Sequence, residues 1–242
     1  MPAVIVGTVS LGDGPPLILW RVQGGPSGCS EAPLQTVRGD AASVERRLAA
    51  GSLRCPCGGV LAPWSHAVPR VVATETGPWR VRPRRSRCGA CEVTHVLLPT
   101  RLFSRRAYAG GVIWACVLAR VCGAKVASIA RRAGVAVSTV AGWLARLGGE
   151  RAERWRRGLM GVLAGVDAGV RPVEPGGGVP GGGALAEALA VLGAVAAAVR
   201  RRGRALATVT DQELASHLAR GLLLAPSCDL ESINTSPFPV PA

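Results

Sequence analysis

Apolar residues recur at helical spacing between Val126 and Ala145, in the stretch VASIARRAGVAVSTVAGWLA. The apolar positions three and four apart are Ile129, Ala130, Ala133, Val135, Val140, Trp143 and Leu144. Gly134 interrupts them where a sharp link between two helices needs a residue that accepts positive φ. The pattern therefore predicts two helices joined by a tight turn, the second beginning near Ala136 or Val137.

The spacing around Gly134 is typical of a helix-turn-helix, in which the second helix lies in the major groove of DNA. A small residue, Ala130, precedes the glycine by four positions, and apolar residues follow it after six and nine. A generic helical hairpin in a protein core is the alternative. Of the positions that would face base edges, only Ser138 can form a hydrogen bond, so we expect weak base specificity. The residues available for phosphate contacts are Arg131, Arg132, Arg146 and Thr139.

Four cysteines form two tight pairs upstream of this motif, and the second pair begins 31 residues after the first pair ends. They are Cys55, Cys57, Cys88 and Cys91. Four thiolates on two tight turns suit the tetrahedral preference of zinc, so we expect a structural Zn²⁺ site. Because the first pair is C-x-C, one residue shorter than the usual knuckle, His66 or His95 could replace one thiolate. A redox dithiol at the second pair and a site that has lost its metal are the other interpretations.

Short runs rich in β-formers surround the cysteines, and helical patterns dominate after residue 100. The predicted strands cover residues 3–9, 17–22, 68–73, 79–87 and 94–98. Asp40 is expected to cap a helix over 41–50, and Ser104 one over 105–121. Later helices are predicted over 150–166, 184–202 and from a capping box at Thr210 and Glu213 to about 224.

Part of the chain resembles a known family in the order of its motifs. Between about Val44 and Gly149, the segments CPCGGVLAPWSHA and VRPRRSRCGACEVTHVLLP precede the predicted helix-turn-helix. This order resembles an uncharacterised bacterial family that joins a cysteine-rich zinc-ribbon-like module to a transposase-type helix-turn-helix. It is also similar to the N-terminal DNA-binding part of insertion-sequence transposases. The resemblance implies DNA binding and a link to mobile elements, and it does not imply catalysis.

In those transposases an arginine-rich strand runs directly into the second cysteine pair. The corresponding arginines here are Arg80, Arg82, Arg84, Arg85 and Arg87. They alternate in part, so one face of the strand could follow a phosphate backbone. A solvated basic strand without a partner is the alternative.

Charge supports a polyanionic partner. The chain has 242 residues, of which 29 are Lys or Arg and 15 are Asp or Glu, and its net charge is +14. Between Arg46 and Arg106 there are twelve Arg and only two acids, Glu75 and Glu92. Codon bias in a GC-rich genome would also favour arginine, and a solvated basic surface is the plain alternative. Aromatic residues are 4% of the chain, which disfavours RNA binding by extensive base stacking.

The sequence shows no secretory signal, and its longest apolar run, residues 184–199, is too short to span a bilayer. We therefore expect a cytoplasmic protein with no membrane partner and with reduced or metal-bound cysteines. No small-molecule substrate is evident. The predicted helices over 150–166 and 184–202 each have a stripe of apolar residues. These stripes could pack on the preceding domain or on a second copy of the chain in a homodimer.

These patterns predict an α+β fold that is mostly α. A small zinc-ribbon-like β module is expected to precede a three-helix helix-turn-helix domain and further C-terminal helices. The expected segments are an N-terminal segment with short strands (1–39), the ribbon (40–100), the helix-turn-helix domain (101–149), a helix (150–171), a flexible linker (172–183), C-terminal helices (184–224) and a disordered tail (225–242).

We expect a double-stranded DNA-binding protein, of transposase-like or regulator type, that is not an enzyme. An active transposase needs three metal-binding carboxylates on a nuclease fold. The part of the chain after Glu153 contains few acids and is too short to form such a fold. The alternative is a protein-interaction module, or a non-catalytic transposon remnant, that uses its apolar helix faces.

Overall fold

All eight strands described precede six of the seven helices described in this computed structural model, which describes residues 4–9, 17–22, 34–167, 183–202 and 206–225. Strands β1 (Val4–Val9) and β2 (Leu17–Val22) form an antiparallel pair, at positions close to the predicted ones. The rest of the predicted N-terminal segment up to residue 33 lies outside the described residues. So do the predicted linker over 172–183, except for residue 183, and the predicted tail over 225–242, except for residue 225.

A four-stranded sheet carries both cysteine pairs at one end. It contains β3 (Leu34–Val37), β4 (Leu61–His66), β7 (Arg84–Cys88) and β8 (Thr94–Pro99), in the order β3-β8-β7-β4. β3 is parallel to β8, and the other two pairs are antiparallel. Between β4 and β7 the chain forms a separate hairpin of β5 (Arg70–Thr74) and β6 (Gly77–Val81).

Helix α1 (Ala41–Ala49) connects β3 to the first cysteine pair. Asp40 caps it as predicted, because its Oδ1 accepts a hydrogen bond from the amide of Ser43 at 2.8 Å. Its buried side chains join a small core under the sheet. That core consists of Val37, Val44, Leu48, Leu53, Cys55, Leu61, Cys88 and Leu97. Two of the four cysteines therefore belong to the core that holds the sheet to α1.

Six further helices follow the sheet in the described part of the chain. They are α2 (Gly110–Val121), α3 (Val126–Ala133), α4 (Val137–Leu147), α5 (Gly149–Val166), α6 (Ala184–Arg201) and α7 (Asp211–Leu218). The bounds of α3 and α4 agree with the predicted turn at Gly134. None of the helices in the described ranges combines the length and apolar character that crossing a bilayer requires.

The predicted start of α2 is wrong. The helix begins at Gly110, with Ala109 at its N-cap position, and not after Ser104. The preceding residues are extended because they pair with β5: the amide of Ala73 donates to the carbonyl of Ala107, and the amide of Ala109 donates to the carbonyl of Ala73, both at 2.8 Å. This long-range pairing removes the first turn that the local pattern predicted.

The predicted fold class is also wrong, because the molecule does not divide into a small ribbon, a three-helix domain and appended helices. β3, which precedes the cysteines, pairs in parallel with β8, so the sheet is larger than the ribbon expected between them. Helices α2 to α7 share one apolar core. Within it, Trp114 of α2 packs edge-on against Trp155 of α5, with ring centroids 6.5 Å apart. Six of the seven helices in the described ranges thus contribute to one apolar core.

Helix α7 joins the helical core to the sheet. The predicted capping box is confirmed: the Thr210 hydroxyl accepts from the amide of Glu213 at 3.1 Å, and the Glu213 carboxylate accepts from the amide of Thr210 at 3.2 Å. Every residue from 212 to 219 is buried. Gln212 donates to the carbonyl of Thr100 at 2.9 Å, and Ser216 donates to the carbonyl of Leu102 at 3.0 Å. Polar contacts of α7 therefore fix the loop between β8 and α2.

Candidate functional site

The four predicted cysteine ligands lie together at one end of the sheet. Their sulfur atoms are all within 4.8 Å of one another. The sulfurs of Cys57 and Cys88 are 3.5 Å apart, and those of Cys55 and Cys91 are 3.7 Å apart. A tetrahedral ion with bonds of about 2.3 Å to sulfur requires sulfur–sulfur distances of roughly 3.8 Å. The cluster therefore fits one metal ion with four thiolate ligands.

Two tight turns present these sulfurs. In the first, the amide of Gly58 donates to the carbonyl of Cys55, and the amide of Cys55 donates to the carbonyl of Gly59, both at 2.8 Å. The second turn follows β7 and is closed by the amide of Glu92, which donates to the carbonyl of Cys88 at 3.1 Å. Gly59 lies against the opposite turn, because a Cβ at this position would be 2.6 Å from the sulfur of Cys88. The two turns can thus approach closely because residue 59 is a glycine and has no side chain.

Backbone amides stabilise the charged form of one ligand. The sulfur of Cys88 accepts from the amides of Ala90 and Cys91 at 3.4 and 3.5 Å. Burial raises the pKa of the Cys88 thiol, but hydrogen bonds outweigh it and lower the pKa to about 6. They come from the Cys91 and Ala90 amides and from the side chains of Cys57 and Cys91. The arrangement favours the thiolate, which is the form that binds a metal.

The two histidines weighed as alternative ligands have different positions. His95 is buried on β8, with its Nε2 3.3 Å from the sulfur of Cys55. It contacts one ligand of the cluster and is placed to orient that sulfur. His66 is exposed at the end of β4 and is not in the group of clustered ligands. The geometry therefore supports four sulfur ligands with His95 beside them.

The arginines predicted on the basic strand have different environments. Arg80 and Arg82 are exposed, and Arg85 is half-buried. Arg84 forms a 2.7 Å ion pair with Glu45 and donates to the carbonyl of Ser65 at 2.9 Å. Its guanidinium therefore supports the sheet and does not extend freely into solvent.

Arg87 also has partners within the protein. It pairs with Glu92 at 3.1 Å, and its guanidinium carbon lies 5.2 Å from the ring centroid of Trp64. Trp64 was not predicted as a site residue, because the broken apolar pattern of residues 61–66 does not indicate a strand. The position of residues 61–66, directly after the first cysteine turn, is the feature of the sequence that could have indicated a strand.

Helices α3 and α4 expose a small-residue face. Gly134 adopts the left-handed conformation that their turn needs, with φ of 63°. Ile129, Ala130, Val140 and Trp143 are buried between the helices and the rest of the core. The exposed positions at the start and along one side of α4 are Ala136, Val137, Ser138, Ala141 and Ala145. Thr139 is half-buried, and no side chain caps α4.

Cations flank this face. Arg131 and Arg132 are exposed in the last turn of α3, and Arg146 is exposed in the last turn of α4. Within the described residues none of the three forms an ion pair with a carboxylate, although Arg146 donates to the carbonyl of Gly142 at 2.9 Å. The chain has no Asp or Glu between Glu92 and Glu150. The positive charge of these helices is therefore not neutralised by nearby sequence.

Comparisons with known proteins found no relative of this chain. No protein-family model, curated protein or solved structure matches the chain. The resemblance to zinc-ribbon and transposase families thus stays a prediction from sequence. The features of the molecule that bear on function are the geometry of the cysteine cluster and of the α3–α4 surface.

Proposed function

We propose that the protein binds double-stranded DNA through α3 and α4 and holds a structural Zn²⁺ ion with its four clustered cysteines. In this proposal α4 lies in the major groove, and the arginines at the ends of the two helices contact phosphates. One observation supports this proposal: α4 exposes a face of small residues, and cations flank that face. These cations have no carboxylate partner among the described residues.

The chemistry of the α4 face defines the kind of binding. Small side chains such as Ala141 and Ala145 let a helix approach base edges closely, and they can contact thymine methyl groups. Ser138 is an exposed hydroxyl that can donate to a base or a phosphate. No Arg, Asn or Gln lies among these exposed positions, so most of the free energy of binding comes from phosphate contacts. The protein then binds many duplex sequences with similar affinity.

Zinc is the metal that suits the cluster best, because four thiolates in a tetrahedral arrangement are typical of its structural sites. Such an ion would link the turn after α1 to the turn after β7, beside a small core of aliphatic side chains and cysteines. Zinc content of protein purified without added metal tests this assignment, with Cys88→Ser/Cys91→Ser as the variant. We expect about one zinc per chain in the wild type and none in the variant. Equal zinc contents would overturn the assignment.

Duplex binding is tested by fluorescence anisotropy with a labelled random-sequence duplex at fixed salt. In Arg131→Gln/Arg132→Gln the affinity is expected to fall by about tenfold, since two phosphate contacts are lost. The matched control is Arg154→Gln/Arg157→Gln, which removes the same charge from exposed positions on α5. If both variants lose affinity equally, binding is a property of net charge and α3 has no special part in it.

A further inference from the structure

Trp64 is displaced from the regular pairing of the sheet. β4 pairs with β7 so that Pro63 lies opposite Ser86 and Ser65 lies opposite Arg85, and Trp64 between them has no partner across the ladder. Such a bulge changes the direction of a side chain and is common next to binding sites. The indole is 57% exposed, on the edge strand of the sheet. The fold therefore holds a large aromatic ring out towards solvent.

One arginine lies over the exposed ring, and a second lies on the same face of the neighbouring strand. The guanidinium of Arg87 lies over Trp64 at 5.2 Å from the ring centroid, a cation–π arrangement. Arg87 is fixed there by Glu92, whose carboxylate it contacts at 3.1 Å and whose carbonyl accepts from its Nε at 3.1 Å. Because side chains alternate along a strand, Arg85 lies on the same face of β7 as Arg87, and the buried Ser86 lies on the other. The planar apolar ring of Trp64 thus lies beside one arginine that other groups hold in place.

A ligand for this surface needs a planar apolar group and negative charge. An exposed tryptophan alone would need no explanation, since monomers commonly expose single large apolar residues. Here the bulge and the arginine over the ring occur at the same residue. They also lie in a strongly basic segment, since residues 46–106 contain twelve Arg and only two acids. Unpaired nucleotides offer both requirements, because every base has an apolar face and every linkage a phosphate.

We propose that Trp64, with Arg87 over its ring, is a stacking site for one unpaired base of single-stranded nucleic acid, and that Arg85 contacts the adjoining phosphate. This site goes beyond the proposed duplex binding by α3 and α4. Bases within a duplex are stacked on one another and do not present their faces to Trp64. Duplex affinity is therefore independent of this residue, whereas affinity for a single strand depends on it.

The test measures the affinity of the full-length, zinc-loaded protein for labelled single strands of about 12 nucleotides. One is oligo(dT), and the other is an abasic strand of the same length and charge. We expect the wild type to prefer oligo(dT) by about tenfold, the usual contribution of one base stacked on an aromatic ring. Trp64→Ala should lower the oligo(dT) affinity to the abasic level and leave the abasic affinity unchanged. Trp64→Phe should retain most of the preference.

Val71→Ala is the matched control, since Val71 is 56% exposed on β5 and lacks an aromatic ring. Circular dichroism and zinc content of each variant verify the fold. Equal affinity of the wild type for both strands, or an unchanged preference in Trp64→Ala, would overturn the stacking site. A parallel loss of affinity for both strands and for duplex would also overturn it, because that result assigns Trp64 to the structure. The Arg131→Gln/Arg132→Gln variant keeps the preference for oligo(dT), so the two proposals can fail separately.

Discussion

The hydroxyl of Thr36 on β3 lies 3.0 Å from Nδ1 of His217 on α7, although 181 residues separate them in sequence. Both side chains are buried. Near this contact, the hydroxyl of Thr100 donates to the carboxylate of Glu213 at 3.2 Å. The sheet that carries the cysteines and the helices that carry the basic face are therefore connected through a helix near the end of the chain.

Removal of this contact should destabilise the whole molecule. Thr36→Val keeps the shape of the side chain but removes the hydroxyl that faces His217. Because a buried polar group then loses a partner, we expect the free energy of unfolding to fall by about 1–3 kcal/mol. Urea denaturation monitored by tryptophan fluorescence measures this change. The control is Thr76→Val, at an exposed position in the β5–β6 turn, where a change below about 0.5 kcal/mol is expected.

Gly59→Ala should weaken metal binding. The new methyl group would lie 2.6 Å from the sulfur of Cys88, so the two cysteine turns must move apart. We expect zinc affinity to fall by about tenfold or more, as for other changes in the surroundings of metal ligands. Competition with a chromophoric chelator measures it. Gly89→Ala is the control, because its Cβ would meet only the carbonyl of Val60 at 3.8 Å. A wild-type affinity in Gly59→Ala would contradict the described packing of the turns.

The contribution of Glu153 on α5 should depend on pH. Hydrogen bonds from Arg156, at 2.7 and 2.8 Å, lower the pKa of the Glu153 carboxyl below its ordinary value of 4.5. A carboxyl with a lowered pKa stabilises the fold above its ordinary pKa, and this stabilisation is lost as the pH falls through the folded-state pKa.

Urea midpoints of the wild type and of Glu153→Gln measure this effect between pH 7 and pH 3. The wild type should be the more stable at pH 7, and the difference should shrink below about pH 4.5 as the carboxyl is protonated in both states. Because the Glu153 side chain is 35% exposed, solvent screening keeps the difference small. A difference that stays constant down to pH 3 would mean that the Arg156 contacts do not stabilise the carboxylate.

Features that depend on neighbouring residues could be predicted from the sequence. The spacing of the four cysteines indicated a cluster, and the sulfurs lie together. Asp40 and the pair Thr210 and Glu213 indicated helix starts because capping needs only residues three positions apart. The glycine at 134 indicated a turn because few residues tolerate its backbone conformation.

Features that depend on distant residues could not be predicted in this way. The parallel pairing of β3 with β8 and the burial of α7 join segments far apart in the chain, and they are the reason why the predicted fold class is wrong. Pairing with Ala73 keeps residues 107–109 extended, where local propensity favours a helix. The outward position of Trp64 results from a bulge, which depends on the register of two strands.

The salt dependence of duplex affinity tests the central claim most directly. Anisotropy titrations of the zinc-loaded wild type between about 50 and 200 mM salt give the slope of log affinity against log salt concentration. We predict a steep slope that is shallower by about 2 in Arg131→Gln/Arg132→Gln, since each lost phosphate contact contributes about 1. If the wild type has no measurable duplex affinity at about 100 mM salt, or if its slope is the same in the variant, the α3–α4 surface is not a DNA-binding site.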